Sequence, residues 1–125
     1  MKSIPSLAAV VLACGLLAPP VEARAAEAPY EPQLMRLAEI LGSLHFLRNL
    51  CGEESDDWRR QMEALLEAEA PEPVRRARMV AQFNHGYTAF ETNYTICTEA
   101  AVEAIRRYMV EGEALTRDVV GRFGN

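Results

Sequence analysis

Two of the three cysteines in this chain have the setting for one structural disulfide bond. Cys51 and Cys97 both lie after a segment that reads as an export leader. A cysteine pair in an oxidising compartment is typical of a structural disulfide, and the chain has no Cys-x-x-Cys spacing of the kind used for redox exchange. We therefore predict a Cys51–Cys97 bond and no free thiol in the exported protein.

The two histidines, His45 and His85, are the candidates for acid–base or metal chemistry. General acid–base catalysis needs titratable groups that converge in a cleft, and neither histidine lies in a recognised catalytic motif. A metal cluster of both histidines with Glu91 has no diagnostic spacing. The favoured interpretation makes His45 a boundary residue that bonds to backbone or to Glu91. We expect no catalytic residue, no cofactor and no metal site.

Arg48 and Asn84 are the polar residues that fit the helical pattern least well, and they join His45 as candidate polar site residues. Arg48 falls at an apolar position of the pattern, opposite Tyr94, where it could stack on the ring or pair with a glutamate. Asn84 lies two residues before Gly86, and a glycine within a helix costs about 1 kcal/mol relative to alanine. Close helix packing, or a partner that approaches the backbone, would account for that glycine, and the structural role is favoured.

The first 25 residues have the three parts of a cleavable signal peptide. Lys2 precedes an apolar stretch, Leu7 to Ala18, and Ala23-Arg24-Ala25 fits a cleavage site. The apolar stretch is too short to cross a bilayer core, which needs about 20 residues. We predict a signal peptide over residues 1–25 and a single helical domain over residues 26–125.

A lipid anchor is the alternative to release as a soluble protein. The run Val11-Leu12-Ala13-Cys14 resembles a lipoprotein cleavage box, although Leu12 is unusual at its place in such a box. Cleavage there would also leave an apolar stub ahead of the domain. Soluble export is therefore the favoured interpretation.

The charge of the chain excludes some partner classes. The leader holds two of the 13 basic and one of the 18 acidic residues, so the mature chain carries a net charge of −6. This balance argues against nucleic acid or an anionic lipid surface as the main partner. All remaining basic residues are arginine, as in proteins from GC-rich bacterial genomes, and with a bacterial leader this predicts the periplasm.

Apolar residues recur with a helical period along the whole mature chain, and no run alternates as a strand does. The pattern predicts an all-α, disulfide-bonded bundle of three to four helices. The predicted segments are a first helix over about 31–51, a second from the acidic cap at 55–57 to Glu69, a long third over 73–110, and a short fourth after Gly112 that carries Leu115, Val119 and Phe123.

The apolar stripes of the first and third helices have identical spacing at an offset of 46 residues. This offset pairs Leu37 with Phe83 and brings Cys51 level with Cys97. The two helices could therefore run parallel, with the second helix as the return segment and Cys97 on a buried face. The predicted order is up-down-up.

The distal part of the predicted third helix carries a second apolar row of Val102, Ile105 and Met109. A short fourth helix that folds back at Gly112 is too short to cover this row together with the neighbouring one. Exposed apolar surface of this kind usually marks an interface. We predict that the row binds a partner protein or a second copy of the chain.

Two segments carry a resemblance to a known family. Leu41 to Cys51 (LGSLHFLRNLC) and Phe83 to Phe90 (FNHGYTAF), with Tyr94 and Cys97, resemble a small family of exported alphaproteobacterial proteins described only as a domain of unknown function. The resemblance implies a periplasmic helical protein, an accessory of the cell envelope, and it supplies no catalytic residue. Further positions that fit the family pattern are Trp58, Met62, Leu65, Leu66 and Arg122 to Gly124.

Three functional hypotheses follow from the sequence. The favoured one is a non-catalytic accessory protein that binds or regulates an envelope protein, such as a peptidoglycan-remodelling enzyme. The second is a small-molecule or lipid-binding protein of the periplasm. The third groups a hydrolase, an inhibitor and a metal protein, none of which has a recognisable motif here.

Overall fold

A computed structural model of the chain describes residues 29–123, plus the isolated positions Ser3 and Gly15. The predicted signal peptide, its cleavage site and Cys14 lie outside the described residues. Residues 29–123 contain helices and no strand, which confirms the predicted fold class. The helices are α1 (Glu31–Leu50), α2 (Asp57–Glu69), α3 (Pro73–Glu91) and α4 (Glu99–Phe123). None of these helices is long and apolar enough to cross a membrane.

Local signals set the ends of the first helices. α1 has Pro32 in its first turn and ends just before Gly52, whose φ of 105° suits glycine. The hydroxyl of Ser55 accepts a hydrogen bond from the backbone N–H of Asp57 at 3.3 Å, at the start of α2. The carboxylate of Glu72 accepts two backbone N–H groups in the first turn of α3. The predicted bounds of α1 and α2 agree with these ends to within about two residues.

The predicted long third helix over 73–110 is wrong, because α3 ends at Glu91. The side chains of Thr92 and Asn93 donate hydrogen bonds back to carbonyls of the last turn, at 2.7 and 2.8 Å. Such short polar side chains compete with the helical backbone pattern. Thr98 then caps α4, since its hydroxyl accepts the backbone N–H of Ala101 at 3.1 Å.

The predicted break at Gly112 is also wrong, because α4 continues through this residue to Phe123. A Cβ atom at Gly112 would lie 3.3 Å from the Cγ2 atom of Ile40. The glycine therefore allows α4 to lie close to α1 instead of ending a helix. The chain reverses direction earlier, in the segment between α3 and α4.

The helices follow an up-down-up-down order around α1. α1 and α3 run parallel, as predicted, because Glu31 pairs with Arg75 near their starts and Phe46 packs on Tyr87 further along. α2 returns between them, as predicted, because its last residue, Glu69, accepts a hydrogen bond from Tyr30. α4 runs antiparallel to α1. Its contacts with α1 include Glu111 with Arg36 and Ala101 with Leu47.

The register of α1 and α3 at their crossing differs from the predicted offset of 46 residues by about two residues, because the contacts Gly42–Phe83 and Glu39–Gly86 have offsets of 41 and 47. The two helices approach most closely at two glycines. A Cβ atom at Gly42 would lie 1.8 Å from the carbonyl oxygen of Phe83, and one at Gly86 would lie 2.1 Å from that of Glu39. Close packing therefore accounts for Gly86, as the sequence suggested. The backbone of Phe83 contacts Gly42 instead of the predicted partner Leu37.

Cys51 and Cys97 form the predicted disulfide. The prediction that Cys97 lies on a buried helix face is wrong. Cys97 is exposed in the segment between α3 and α4. Because this segment is not helical, it can reach back to the end of α1 despite the shifted register. The bond thus fixes the point where the chain leaves α3 and enters α4.

The core has two parts, one on each side of α1. The first joins α1, α2 and α3 and consists of Leu34, Ala38, Leu41, Met62, Leu66 and Met79, with Phe83 and Trp58 packed against it. The second joins α1 to α4 and consists of Leu47, Ala101 and Ala104, with Phe46, Cys51, Phe90, Tyr94, Ile105 and Tyr108 packed against it.

Candidate functional site

An open groove of about 480 Å³ lies between α2 and α3, and His45 of α1 contributes to its floor. Its apolar lining comes from both walls, and its polar groups come from all three helices. The apolar residues are Met62, Leu66, Val80 and Phe83, and the polar ones are His45, Arg59, Glu63, Arg76, Asn84 and Tyr87.

Residues from two distant segments of the sequence meet in this groove. His45 comes from the segment 41–51, whereas Phe83, Asn84 and Tyr87 come from the segment that begins at Phe83. The close parallel packing of α1 and α3 brings the segments together. Two of the three predicted polar site residues, His45 and Asn84, therefore share one site.

His45 lies among aromatic rings in this groove. Its ring centroid is 5.9 Å from that of Phe83 and 5.6 Å from that of Tyr87. Its Nδ1 atom lies 3.5 Å from the side-chain nitrogen of Asn49. Burial lowers the pKa of His45 below its usual value, so the neutral ring offers one donor and one acceptor near neutral pH. These neighbours replace the predicted contact with Glu91, which interacts with Tyr87.

The rim of the groove carries charges of both signs. Arg59 and Glu63 face each other at 3.7 Å, with side chains 66% and 65% exposed, so their pairing is loose. Arg76 and Asn84 are also exposed at the rim. These groups are free to contact a bound molecule without breaking a buried interaction.

Arg48, the third predicted polar site residue, does not line the groove. Its guanidinium pairs with Glu53 and lies 5.9 Å from the ring centroid of Trp58. The predicted position opposite Tyr94 is therefore wrong, whereas the alternative of a glutamate partner is confirmed: Arg48 pairs with Glu53 and faces the turn that leads into α2. Its contacts join the end of α1 to the start of α2, which is a structural role.

The described part of the chain offers no cluster that would bind a metal ion. Residues 29–123 contain no group of three or more histidine, cysteine or carboxylate side chains with suitable geometry. His85 is exposed on α3 and is not among the residues that line the groove. The geometry of the groove suits binding through apolar contacts and hydrogen bonds.

The predicted interaction row on α4 is only partly exposed. Val102 and Met109 are 54% and 38% exposed, and the neighbouring Val110 is 60% exposed. Ile105 is half-buried and packs against the core between α1 and α4. The exposed face therefore comprises Val102, Met109 and Val110, without Ile105.

The family of the chain follows from its match to a family model over residues 29–123, described as "Protein of unknown function (DUF2385)". The chain belongs to this family. The matched range includes all four helices, the disulfide and the groove. No curated protein and no solved structure matches the chain.

Sequence reasoning missed two structural devices of this DUF2385 protein. Arg75 bonds Glu31 in a bidentate pair and also contacts Glu69, which ties the starts of α1 and α3 to the end of α2. Asn49 bridges to Ser55, with its side chain bonded to both backbone groups of that residue at 2.9 and 3.0 Å. Both sets of contacts help to hold α2 and α3 in the positions that form the groove walls.

Proposed function

We propose that this protein is a non-catalytic accessory protein of the periplasm. It binds a protein of the cell envelope, such as an enzyme that remodels peptidoglycan. The observation that carries the proposal is the groove between α2 and α3, where residues of both family-like segments line one open surface. A groove with an apolar base and a polar rim suits an amphipathic segment of a partner protein.

The chemistry of the groove supports a protein segment as the bound species. Met62 and Phe83 offer apolar contact area along the groove, and Asn84 offers hydrogen bonds at its edge. Arg59 and Glu63 at the rim can each take an opposite charge from the partner. A segment with apolar anchors and charges of both signs would therefore complement this surface.

The disulfide and the leader support the compartment. Structural disulfides persist in oxidising environments such as the periplasm and are rare in the cytosol. Cys51 and Cys97 form such a bond, and the leader-like sequence precedes the domain. Export with removal of residues 1–25 is part of the proposal.

A small-molecule or lipid ligand is the second candidate, and the size of the groove favours it. Ligand sites in proteins commonly have volumes of about 300–1,000 Å³. The groove, at about 480 Å³, falls within this range. The two candidates differ in what remains bound after purification, since a tightly bound small ligand would co-purify with the folded protein.

Site-specific cross-linking tests the proposal. A photoreactive amino acid at Asn84 should give one dominant adduct with an envelope protein in intact cells. The same group at Ala89, which is exposed about 140° around α3 from Asn84, is the matched control and should give none. Asn84→Arg should abolish binding of the identified partner in a pull-down with purified proteins. Equal adducts at positions 84 and 89 would contradict the proposal.

Native mass spectrometry of the purified protein distinguishes the second candidate. A bound small molecule that is lost in Asn84→Arg would favour the ligand-binding hypothesis over a protein partner. The photoreactive residue at position 84 and the Asn84→Arg substitution should both keep the fold, because Asn84 is exposed and lies outside the core.

A further inference from the structure

The outward face of α4 packs against no other helix among the described residues, since the close helix contacts of α4 are with α1. α4 packs on α1 through the small residues Ala101 and Ala104 and reaches the end of α3 through the ring of Tyr108. Val102 and Met109 lie beside this contact, about 100° around the helix from it. Val102 is exposed, and Met109 is 38% exposed and also lines the cleft that α4 forms with α1 and α2. An apolar face by itself does not identify a partner, but the charges around it do.

Four charged residues on this face alternate in sign along the helix. Glu103 pairs with Arg106 at 3.0 Å, and Glu113 pairs with Arg117 at 3.1 Å. All four side chains are between 51% and 71% exposed. Pairs this exposed contribute little to the stability of the monomer, so they are free to be shared with a second chain.

The same residues complement each other when a second α4 lies antiparallel to the first. Arg106 then faces Glu113 of the second copy, and Glu103 faces Arg117 of the second copy. A parallel pair would place each charge opposite its own kind, which is unfavourable. The pattern therefore selects one orientation.

The centre of this symmetry coincides with the exposed apolar residues. The midpoint between Glu103 and Arg117, and that between Arg106 and Glu113, both fall at Met109 and Val110. Val102, Arg106, Met109 and Glu113 also project within about 60° of one another around the helix, given 3.6 residues per turn. An apolar centre with charges on both sides is the usual layout of an interface.

We propose that α4 pairs antiparallel with α4 of a second copy of this chain, about a two-fold axis at Met109 and Val110. Such an interface is isologous, because both copies contribute the same surface. It involves one helix from each chain and buries less area than a standard interface, so the dimer is weak and dependent on concentration.

This dimer goes beyond the proposed function and does not depend on it. α4 packs against α1 on the side away from His45, so pairing through α4 leaves the groove between α2 and α3 open in each copy. A dimer would then present two grooves and bind a multivalent envelope partner with higher avidity.

Sedimentation velocity of the purified mature protein, up to millimolar concentration, tests the dimer in the absence of any partner. The wild-type protein should show a concentration-dependent dimer that weakens as salt is added. Arg106→Glu places like charges opposite each other at both symmetric positions and should raise the dimer Kd by at least about tenfold. A wild-type protein that stays monomeric throughout would overturn the proposal.

Arg60→Glu is the matched control. Arg60 on α2 is 67% exposed and pairs with an acid three residues earlier, as Arg106 on α4 does. It lies away from the proposed interface, so this variant should keep the wild-type Kd. Equal weakening by both substitutions would show a general charge effect and contradict the model. Circular dichroism should show the same helix content in both variants.

Inversion of all four charges gives the sharpest test, because it restores every pairing within and between copies. The variant Glu103→Arg, Arg106→Glu, Glu113→Arg, Arg117→Glu should dimerise again with itself. It should not mix with the wild-type chain, since like charges then meet at every position. Free mixing of the two chains would exclude the antiparallel α4 interface.

Discussion

Two arginine–glutamate pairs with nearly the same geometry lie on opposite sides of α1. The Nε atom of Arg75 is 3.0 Å from both carboxylate oxygens of Glu31, and that of Arg36 is 3.1 and 3.2 Å from those of Glu111. The Arg75 and Glu31 side chains are 18% and 6% exposed, against 38% and 42% for Arg36 and Glu111. Burial, rather than bonding geometry, therefore decides how much each pair matters.

The rest of the packing differs between the two sides in the same way. On the α3 side, backbone meets backbone at Gly42 and Gly86. On the α4 side, contact runs through side chains, and the disulfide supplies a covalent link near its start. A bond that closes a loop of this length contributes about 4 kcal/mol in the chain-entropy model. The α3 side is thus fixed by close backbone fit, and the α4 side by side-chain packing and a covalent link.

Substitution of the contact glycines should give the largest effect. Gly42→Ala or Gly86→Ala would place a methyl group about 2 Å from a backbone carbonyl oxygen, so α1 and α3 would have to move apart. Overpacking of this kind costs about 3 kcal/mol, at the upper end of its usual range. Urea unfolding of each variant, followed by far-UV circular dichroism, measures the loss of unfolding free energy.

Gly121→Ala is the control for the glycine variants. Gly121 lies in α4, and a Cβ atom there would have no neighbour within 4 Å. Alanine should stabilise the helix by up to about 1 kcal/mol, because it has the higher helix propensity. Destabilisation by Gly121→Ala, or tolerance of alanine at Gly42, would contradict the contrast between the two sides.

Removal of each arginine tests the contrast more finely. Arg75→Met leaves the Glu31 carboxylate buried without its cation and should cost about 2 kcal/mol of unfolding free energy. Arg36→Met leaves Glu111 in contact with water and should cost less than about 1 kcal/mol. Chemical denaturation at neutral pH measures both. Equal losses would mean that geometry outweighs burial here.

The helical class and the parallel arrangement could be predicted, because the apolar residues of α1 and α3 recur with a helical period and with the same spacing. The exact register could not, since the helices cross at Gly42 and Gly86 and apolar spacing alone does not locate that crossing. The prediction also placed Cys97 on a helix, which tied the offset to the disulfide. Gly42 was the missing signal, because two glycines facing each other fix the crossing point more tightly than the stripes do.

The end of α3 had a signal in the sequence. The segment from Thr92 to Thr98 is rich in residues with low helix propensity, and Thr98 suits an N-cap. The prediction nevertheless extended the helix through this segment, because the aromatic residues Phe83, Tyr87, Phe90 and Tyr94 continue the helical spacing into it. The Arg75–Glu31 pair had no local signal, because its members are 44 residues apart and meet only after α1 and α3 have packed.

The candidate groove was only partly predictable. His45 and Asn84 were recognised as unusual polar residues, but their convergence depends on the exact register, for which the predicted offset was wrong by about two residues. Arg59 and Glu63 on α2 look like an ordinary exposed helical pair in the sequence. Their role at the rim follows from where α2 lies above α1, which spacing alone does not give.

Acidification should give the smallest of the expected effects, and it acts on the α3 side through His45. Burial, together with Arg59, lowers the pKa of His45 from its ordinary value of 6.5, and Asp56 acts in the opposite direction. The unfolded chain therefore binds the proton more readily than the folded protein does. It follows that stability is highest with the ring neutral and falls as pH drops below about 6.5.

His45→Gln should remove this part of the pH dependence, whereas His85→Gln, on the exposed face of α3, should retain it. Carboxylates also titrate toward pH 5, so the informative quantity is the difference in unfolding free energy between each variant and the wild type. That difference should change between pH 7 and pH 5 for His45→Gln by well under about 1 kcal/mol. Urea unfolding at several pH values measures it. If the wild type gained stability over His45→Gln on acidification, His45 would have to be protonated in the fold, with an anionic neighbour where the structure has Phe83 and Tyr87.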